Sequence, residues 1–110
     1  MKKTVYTLAF LLLASTWVDA ATYKGQKEFS KECSSCHSGG QSFVGTKTLM
    51  DWEDLMFNDA RMLVNIHKKS QEAKESLEYF QSKRFLKRMK HLKDFLFEYA
   101  KDSGQVAACG

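Results

Sequence analysis

The sequence predicts a small all-α domain. Apolar residues recur every three or four positions through most of the chain, and no stretch shows the two-residue alternation of a half-buried strand. No hairpin turn signal separates the apolar runs, and proline is absent from all 110 residues. This length suits one domain, and the sequence contains no repeats and no linker to a second domain.

The first twenty residues have the composition of a cleavable export signal. Lys2 and Lys3 precede a mostly apolar run from Val5 to Trp17, and small residues then occupy the positions that a signal peptidase reads. We expect cleavage after Ala20. The apolar run is shorter than the roughly 20 residues that span a bilayer, and an uncleaved anchor is the alternative.

Cleavage would leave one domain of residues 21–110, with an ordered core of about 24–104. We expect this mature chain in the periplasm, with no segment inserted in the membrane. Loss of Lys2, Lys3 and Asp19 lowers the formal charge from +4 to +3, an excess too small to indicate nucleic-acid binding.

Four helices follow from the spacing of apolar residues. The first is predicted from Gln26 to Cys36. Phe29, Cys33 and Cys36 lie three or four residues apart within it and form one helical stripe. A loop from Ser38 to Thr48 follows, with glycines as helix breakers.

The second helix is predicted to run from Thr48 to Lys69. Thr48 can cap it together with Asp51, which is in the capping-box position. Its apolar positions have helical spacing: Trp52, Leu55, Met56, Met62, Leu63 and Ile66.

A third, shorter helix is predicted from Gln71 to about Gln81, with Leu77 and Phe80 inward. Residues Ser82 to Lys87 would form a basic junction. The last helix is predicted from about Arg88 to Lys101 and would end at Ser103-Gly104. Its apolar face comprises Leu92, Phe95, Leu96 and Tyr99.

The most specific motif is Cys33-Ser34-Ser35-Cys36-His37, at the end of the first predicted helix. C-x-x-C-H is the attachment signature of c-type haem. Each thiol can add to one haem vinyl group, because two intervening residues bring both sulfurs to one edge of the porphyrin. His37 follows directly and is the expected proximal ligand of the iron. Export agrees with this prediction, since c-type haem is attached outside the cytoplasm.

Two alternatives to a haem site stay open. Cys33 and Cys36 could form a disulfide in the oxidising compartment, beside an idle His37. Zinc would need about four ligands, so another residue would have to join these three. The candidates for that fourth ligand are Cys109, His67 and His91. If haem takes two thiols, Cys109 is left over as an incidental thiol or as a cross-link to a second chain or a partner.

Residues from about 24 to 104 resemble a small monohaem cytochrome c of the class I kind. The resemblance consists of a first helix that ends in C-x-x-C-H, a glycine-containing loop, middle helices and an amphipathic last helix. It implies a helical domain wrapped around one covalently attached haem, with the first and last helices packed across each other. The residues that match this crossing are Gly25 and Phe29 on the first helix, with Phe95, Leu96 and Tyr99 on the last.

The sequence departs from that family in two places. The family usually has a proline after the motif, near a carbonyl that accepts a hydrogen bond from the proximal histidine. Here a carbonyl within Gly39 to Gly45 would have to do this. The family's distal methionine usually precedes the last helix on a loop, and the matching stretch, Gln81 to Arg88, contains no methionine.

The identity of the distal iron ligand is therefore open. Met89 is nearest to the position that the family uses, whereas His91 offers imidazole, a common ligand of haem iron. His67, at the end of the second predicted helix, is the third candidate. The remaining alternatives are Met50, Met56, Met62 or an open site.

The sequence predicts an exported one-electron carrier rather than an enzyme, because no acid and base pair or nucleophile stands out elsewhere. The basic run Lys83 to Lys93 is either a solvated helix face or a docking patch for acidic redox partner proteins. With no side chain at the distal position, the chain would instead be a haem-based protein that binds or senses a small ligand.

Overall fold

The computed structural model describes residues 16–105, and within that range the chain forms helices and no strands. The helices are α1 (Thr16–Glu32), α2 (Gln41–Val44), α3 (Leu49–Lys69), α4 (Leu77–Phe80) and α5 (Lys83–Glu98), with a 3-10 turn at Lys74–Ser76. The predicted all-α class is confirmed. Searched over the same residues, no helix is long and apolar enough to cross a membrane. Cys109 and most of the expected leader lie outside the described residues.

α1 and α5 cross each other and share the most extensive contact between helices. Gly25 lies at the crossing, against the backbone carbonyl of His91 and the Cβ of Phe95. One turn further along α1, the ring of Phe29 packs 5.6 Å from the ring of Phe95. The expected packing of first and last helices through glycine and aromatic residues is therefore confirmed.

The core lies between these two helices, α2 and the first half of α3. Phe85 and Phe95 are its most deeply buried large side chains. The buried apolar residues are Phe29, Val44, Trp52, Leu55, Met56, Ala60, Phe85, Leu92, Phe95, Leu96 and Ala100. Met62 and Ile66, which helical spacing placed inward, are instead 50% and 53% exposed.

α3 begins as predicted. The hydroxyl of Thr48 accepts a hydrogen bond from the N–H of Asp51 (3.2 Å), and the Asp51 carboxylate accepts one from the N–H of Thr48 (3.1 Å). This reciprocal capping box satisfies two backbone donors at the start of the helix. The indole N–H of Trp52 donates to the carbonyl of Val44 (2.9 Å) and fixes α2 against α3.

α3 is broken in its middle, whereas the spacing of apolar residues predicts a continuous helix. Phe57 has an extended backbone, and Asn58, Asp59 and Ala60 have φ values of 52°, 56° and 59°. Left-handed conformation is unfavourable for residues with a Cβ, and Ala60 is also fully buried. The residues before 57 and after 60 therefore form two separate helical segments.

Other boundaries also differ from the predictions. α1 ends at Glu32 rather than Cys36, and α5 begins at Lys83 rather than Arg88 because Ser82 caps it by accepting from the N–H of Phe85 (3.2 Å). The last helix ends at Glu98 rather than Lys101.

The predicted third helix from Gln71 to about Gln81 forms only in part, as a 3-10 turn at Lys74–Ser76 followed directly by α4 at Leu77–Phe80. The hydroxyl of Ser76 donates to the carbonyl of Ala73 (2.6 Å), a local bond that competes with helical pairing.

Candidate haem-attachment site

The motif residues Cys33 to His37 continue α1 as one extra turn. The N–H groups of Cys36 and His37 both donate to the carbonyl of Cys33, at 3.2 and 2.9 Å. Cys33, Cys36 and His37 are thus related as the first, fourth and fifth residues of a single turn, which places two thiols and one imidazole on a short, hydrogen-bonded piece of chain.

The two motif cysteines are free thiols in different surroundings. Cys33 is half-buried against the core, whereas Cys36 is exposed. Burial raises the pKa of the Cys33 thiol to about 12, and the carboxylates of Glu32 and Glu28 add to this effect. At neutral pH Cys33 is therefore a neutral thiol that packs as an apolar group.

His37 is held by an aromatic ring from the short helix α2. Its imidazole stacks on Phe43, with 4.4 Å between ring centroids and 26° between planes. Phe43 in turn packs against Phe29 at 5.9 Å and Trp52 at 6.3 Å, so the imidazole rests on the aromatic core. The stacked ring of Phe43 thus supports the imidazole from one side.

His67 is the second histidine at this site. Its ring centroid lies 6.1 Å from that of His37, and the planes meet at 83°. Nδ1 of His67 lies 2.7 Å from the carbonyl oxygen of Leu63, so Nδ1 donates and a neutral ring has its free lone pair on Nε2. Burial, with a smaller contribution from His67, lowers the pKa of His37, which favours the neutral imidazole that binds metals.

His91 lies elsewhere. It is on α5 at the crossing with α1, where its carbonyl contacts Gly25. Burial lowers the pKa of its imidazole most, and the positive charges of Lys90 and Lys24 lower it further. Met89, one turn earlier than Leu92, packs at the edge of the core. The ring contacts of His37 therefore bring His67 to the motif, and among the described residues they do not include His91.

The zinc alternative gains no support from this geometry. Among residues 16–105, no three or more His, Cys, Asp or Glu side chains are grouped so that they could hold a metal ion. The version of that site that uses Cys109 involves a residue outside the described range.

A buried ionic cluster that apolar spacing does not predict lies next to the motif. Glu28 is only 4% exposed, and its carboxylate accepts hydrogen bonds from the hydroxyl of Tyr79 (2.8 Å) and from Arg84 (3.0 and 3.2 Å). Arg84 also lies 3.6 Å from Glu32. The sequence gives little sign of this burial, because Glu28 directly precedes Phe29 but follows Lys27 and has charged helical neighbours at Lys24 and Glu32.

The basic run forms the exposed side of α5. All six of its basic residues, Lys83, Arg84, Lys87, Arg88, Lys90 and Lys93, are exposed. Arg84 differs from the others because its guanidinium pairs with Glu28 and stabilises the fold. Lys83, Lys87 and Lys90 are three or four residues apart and share one face of the helix.

Comparisons of this chain with protein-family models, with curated proteins and with solved structures found no match.

Proposed function

We propose that the chain is an exported monohaem c-type cytochrome that carries single electrons between redox partner proteins. The observation that carries the proposal is the turn from Cys33 to His37. It offers two free thiols three residues apart and an imidazole directly after the second, and c-type haem attachment requires that arrangement. When bound, the haem supplies an iron that alternates between ferrous and ferric states.

The chain's own residues prepare this site in three ways. The hydrogen bonds from Cys36 and His37 to the carbonyl of Cys33 fix the relative positions of the three attachment residues. The stacked ring of Phe43 limits rotation of the His37 imidazole. Half-burial of Cys33 places one thiol against apolar core residues, which suits a large apolar group better than water.

The exposed face with Lys83, Lys87 and Lys90 supports the proposed role of electron carrier. Three cations on one face of α5 attract an acidic partner over a distance and raise the rate of productive encounters. Such a carrier turns over no substrate, and the proposal includes no enzymatic activity. Export through the leader of residues 1–20 would place it in the periplasm.

The mass of the exported protein tests the attachment. The chain should be expressed with its leader in a host that attaches c-type haem, and the denatured protein should weigh the mature chain plus one haem. Cys33→Ala with Cys36→Ala should remove the added mass, and Cys109→Ala, the matched control, should keep it. A cleaved chain of unmodified mass would contradict the proposal.

Reversible reduction tests the carrier role. The attached haem should be reduced and reoxidised by one electron per chain, and its spectrum should not change with carbon monoxide. Rapid binding of carbon monoxide to the reduced wild-type protein would favour the sensing alternative.

A further inference from the structure

We infer that His67 is the second axial ligand, so that the iron would be held between His37, in the turn that follows α1, and His67 at the end of α3. This inference rests on the proposed haem attachment and assigns the position that the sequence left open among His91, Met89 and His67. The two histidines are thirty positions apart in the sequence.

The separation of the two rings fits one shared metal ion. A metal–imidazole bond is about 2.0 Å long and the ring centre lies about 1 Å beyond the nitrogen, so two imidazoles on opposite sides of one ion have centres about 6 Å apart. The observed separation of His37 and His67 is 6.1 Å. Packed aromatic rings also adopt such separations, so the spacing is compatible with a shared ion, and the assignment rests on it together with the hydrogen bond of His67.

The hydrogen bond of His67 prepares the required nitrogen. Metal-binding histidines commonly donate their second N–H to a carbonyl, which fixes the tautomer and the ring orientation. Nδ1 of His67 does this with the carbonyl of Leu63, one helical turn earlier, at 2.7 Å. Nε2 is then the nitrogen that is free to bind.

Aromatic neighbours hold both rings. Phe43 stacks on His37 at 4.4 Å, and the ring of Phe80 lies 4.7 Å from that of His67. Phe80 also packs at 5.1 Å against Phe85, which is 1% exposed. The His67 ring is therefore linked to the core through two aromatic side chains although its own helical segment is mostly exposed.

The other two candidates for the second ligand, His91 and Met89, have less support from the structure. Gly25, which contacts the carbonyl of His91, precedes Cys33 by eight residues, and eight residues of helix span about 12 Å. The groups that act on the His91 ring are Lys90, Lys24, Asp94 and Arg88, all outside the motif. Met89 packs at the core edge, where an unbranched side chain is an ordinary filler.

Two imidazoles give the iron different properties from those of the histidine and methionine pair that the resemblance implied. Methionine raises the reduction potential relative to histidine, so this site would have a lower potential. With both axial positions taken, the iron would also have no open position for a small ligand.

Spectra of single variants of the haem-loaded protein test the assignment. His67→Ala should convert the oxidised iron from low to high spin and let the reduced iron bind carbon monoxide, and added imidazole should restore the low-spin spectrum. His91→Ala and Met89→Ala, the controls, should stay low-spin. Since His67→Ala could also weaken folding, His67→Met serves as a second variant, which should stay low-spin and raise the reduction potential.

The outcomes separate the inference from the proposed function. If the variants carry haem by mass and His67→Ala stays low-spin, or if imidazole fails to restore a high-spin variant, the assignment of His67 is wrong and the cytochrome proposal stands. If the wild-type chain carries no haem, both fail.

Discussion

Gly25 of α1 contacts the backbone carbonyl of His91 of α5 so closely that no other residue fits at position 25. A Cβ there would overlap the His91 carbonyl and lie 2.7 Å from the Cβ of Phe95. The crossing of first and last helices depends on this one missing side chain.

Gly25→Ala should lower the free energy of unfolding by about 3 kcal/mol, because the two helices must move apart in a packed core. Urea unfolding followed by circular dichroism would measure the change. Gly45→Ala is the matched control, since a Cβ at 45 would meet atoms no closer than 3.4 Å and φ is −70°. A loss for Gly25→Ala no larger than for Gly45→Ala would contradict the described crossing.

Glu28→Gln should cost about 2 kcal/mol in unfolding free energy. The substitution removes a buried charge that accepts two hydrogen bonds from Arg84, and Arg84 remains partly solvated, which limits the loss. Glu32→Gln is the control, because the Glu32 oxygen lies 3.6 Å from Arg84 and such a long, partly exposed pair contributes less than about 1 kcal/mol. Equal losses in the two variants would show that the buried cluster is not a main source of stability.

Tyr79 should make the fold sensitive to alkaline pH. Burial, followed by the hydrogen bond to Glu28, raises the pKa of the Tyr79 hydroxyl above its ordinary value of about 10. The neutral Tyr79 hydroxyl stabilises the fold fully at pH values below its pKa in the unfolded chain. This stabilisation is lost as the pH rises toward its pKa in the folded chain, because the hydroxyl ionises first in the unfolded chain. Wild-type stability should therefore fall more between pH 9 and about 11 than that of Tyr79→Phe, as measured by urea midpoints. Parallel curves for the two proteins would exclude this role.

Substitutions in the break of α3 should have opposite effects at neighbouring positions. Asp59→Gly should raise the unfolding free energy by about 0.5 kcal/mol, because glycine removes the left-handed strain at an exposed site at some cost in chain entropy. Ala60→Val should lower it by about 3 kcal/mol, because a branched side chain at φ 59° also has no space in the core. Urea unfolding of both variants checks the pair, and an Ala60→Val protein as stable as the wild type would contradict the left-handed, buried conformation of Ala60.

The two motif thiols should react at different rates in haem-free protein. In a Cys109→Ser background at pH 8, iodoacetamide should modify exposed Cys36 first, because a thiol of pKa about 12 is about one part in ten thousand thiolate. Labelling of Cys33 should keep rising up to at least pH 10, as followed by peptide mass spectrometry, and unfolding in urea should abolish the difference. Similar rates in the folded chain at pH 8 would contradict the burial of Cys33.

The parts of the fold that sequence reasoning predicted are those with local causes. Thr48 and Asp51 are three residues apart, and their capping box needs no tertiary contact, so the start of α3 was readable. The break at Phe57 to Ala60 could not be predicted in this way, because no glycine or proline marks it and Ala60 is an ordinary helix former. Tertiary packing, which leaves Ala60 fully buried, overrides that propensity.

In the candidate site, too, local features could be predicted from the sequence and long-range contacts could not. Cys33, Cys36 and His37 could be identified because their chemistry depends on adjacent positions in one turn. The approach of His67 to His37 depends on how α3 lies against the motif turn, which periodicity does not encode, and the sequence therefore ranked His91 and Met89 above it. The pairing of Glu28 with Arg84 was hidden for the same reason, since the two residues are 56 positions apart.

The break in α3 also divides this helix into two segments of unequal local stability. The first segment buries Trp52, Leu55 and Met56, whereas the second has mostly exposed side chains, namely Arg61, Met62, Asn65, Ile66, Lys68 and Lys69. Segments with few buried contacts open more often than the core, and a break at residues 57–60 lets the second segment do so alone. A bond between His67 and the iron would hold the second segment in place. Slower hydrogen exchange along the whole segment would then report that this one metal–nitrogen bond is formed.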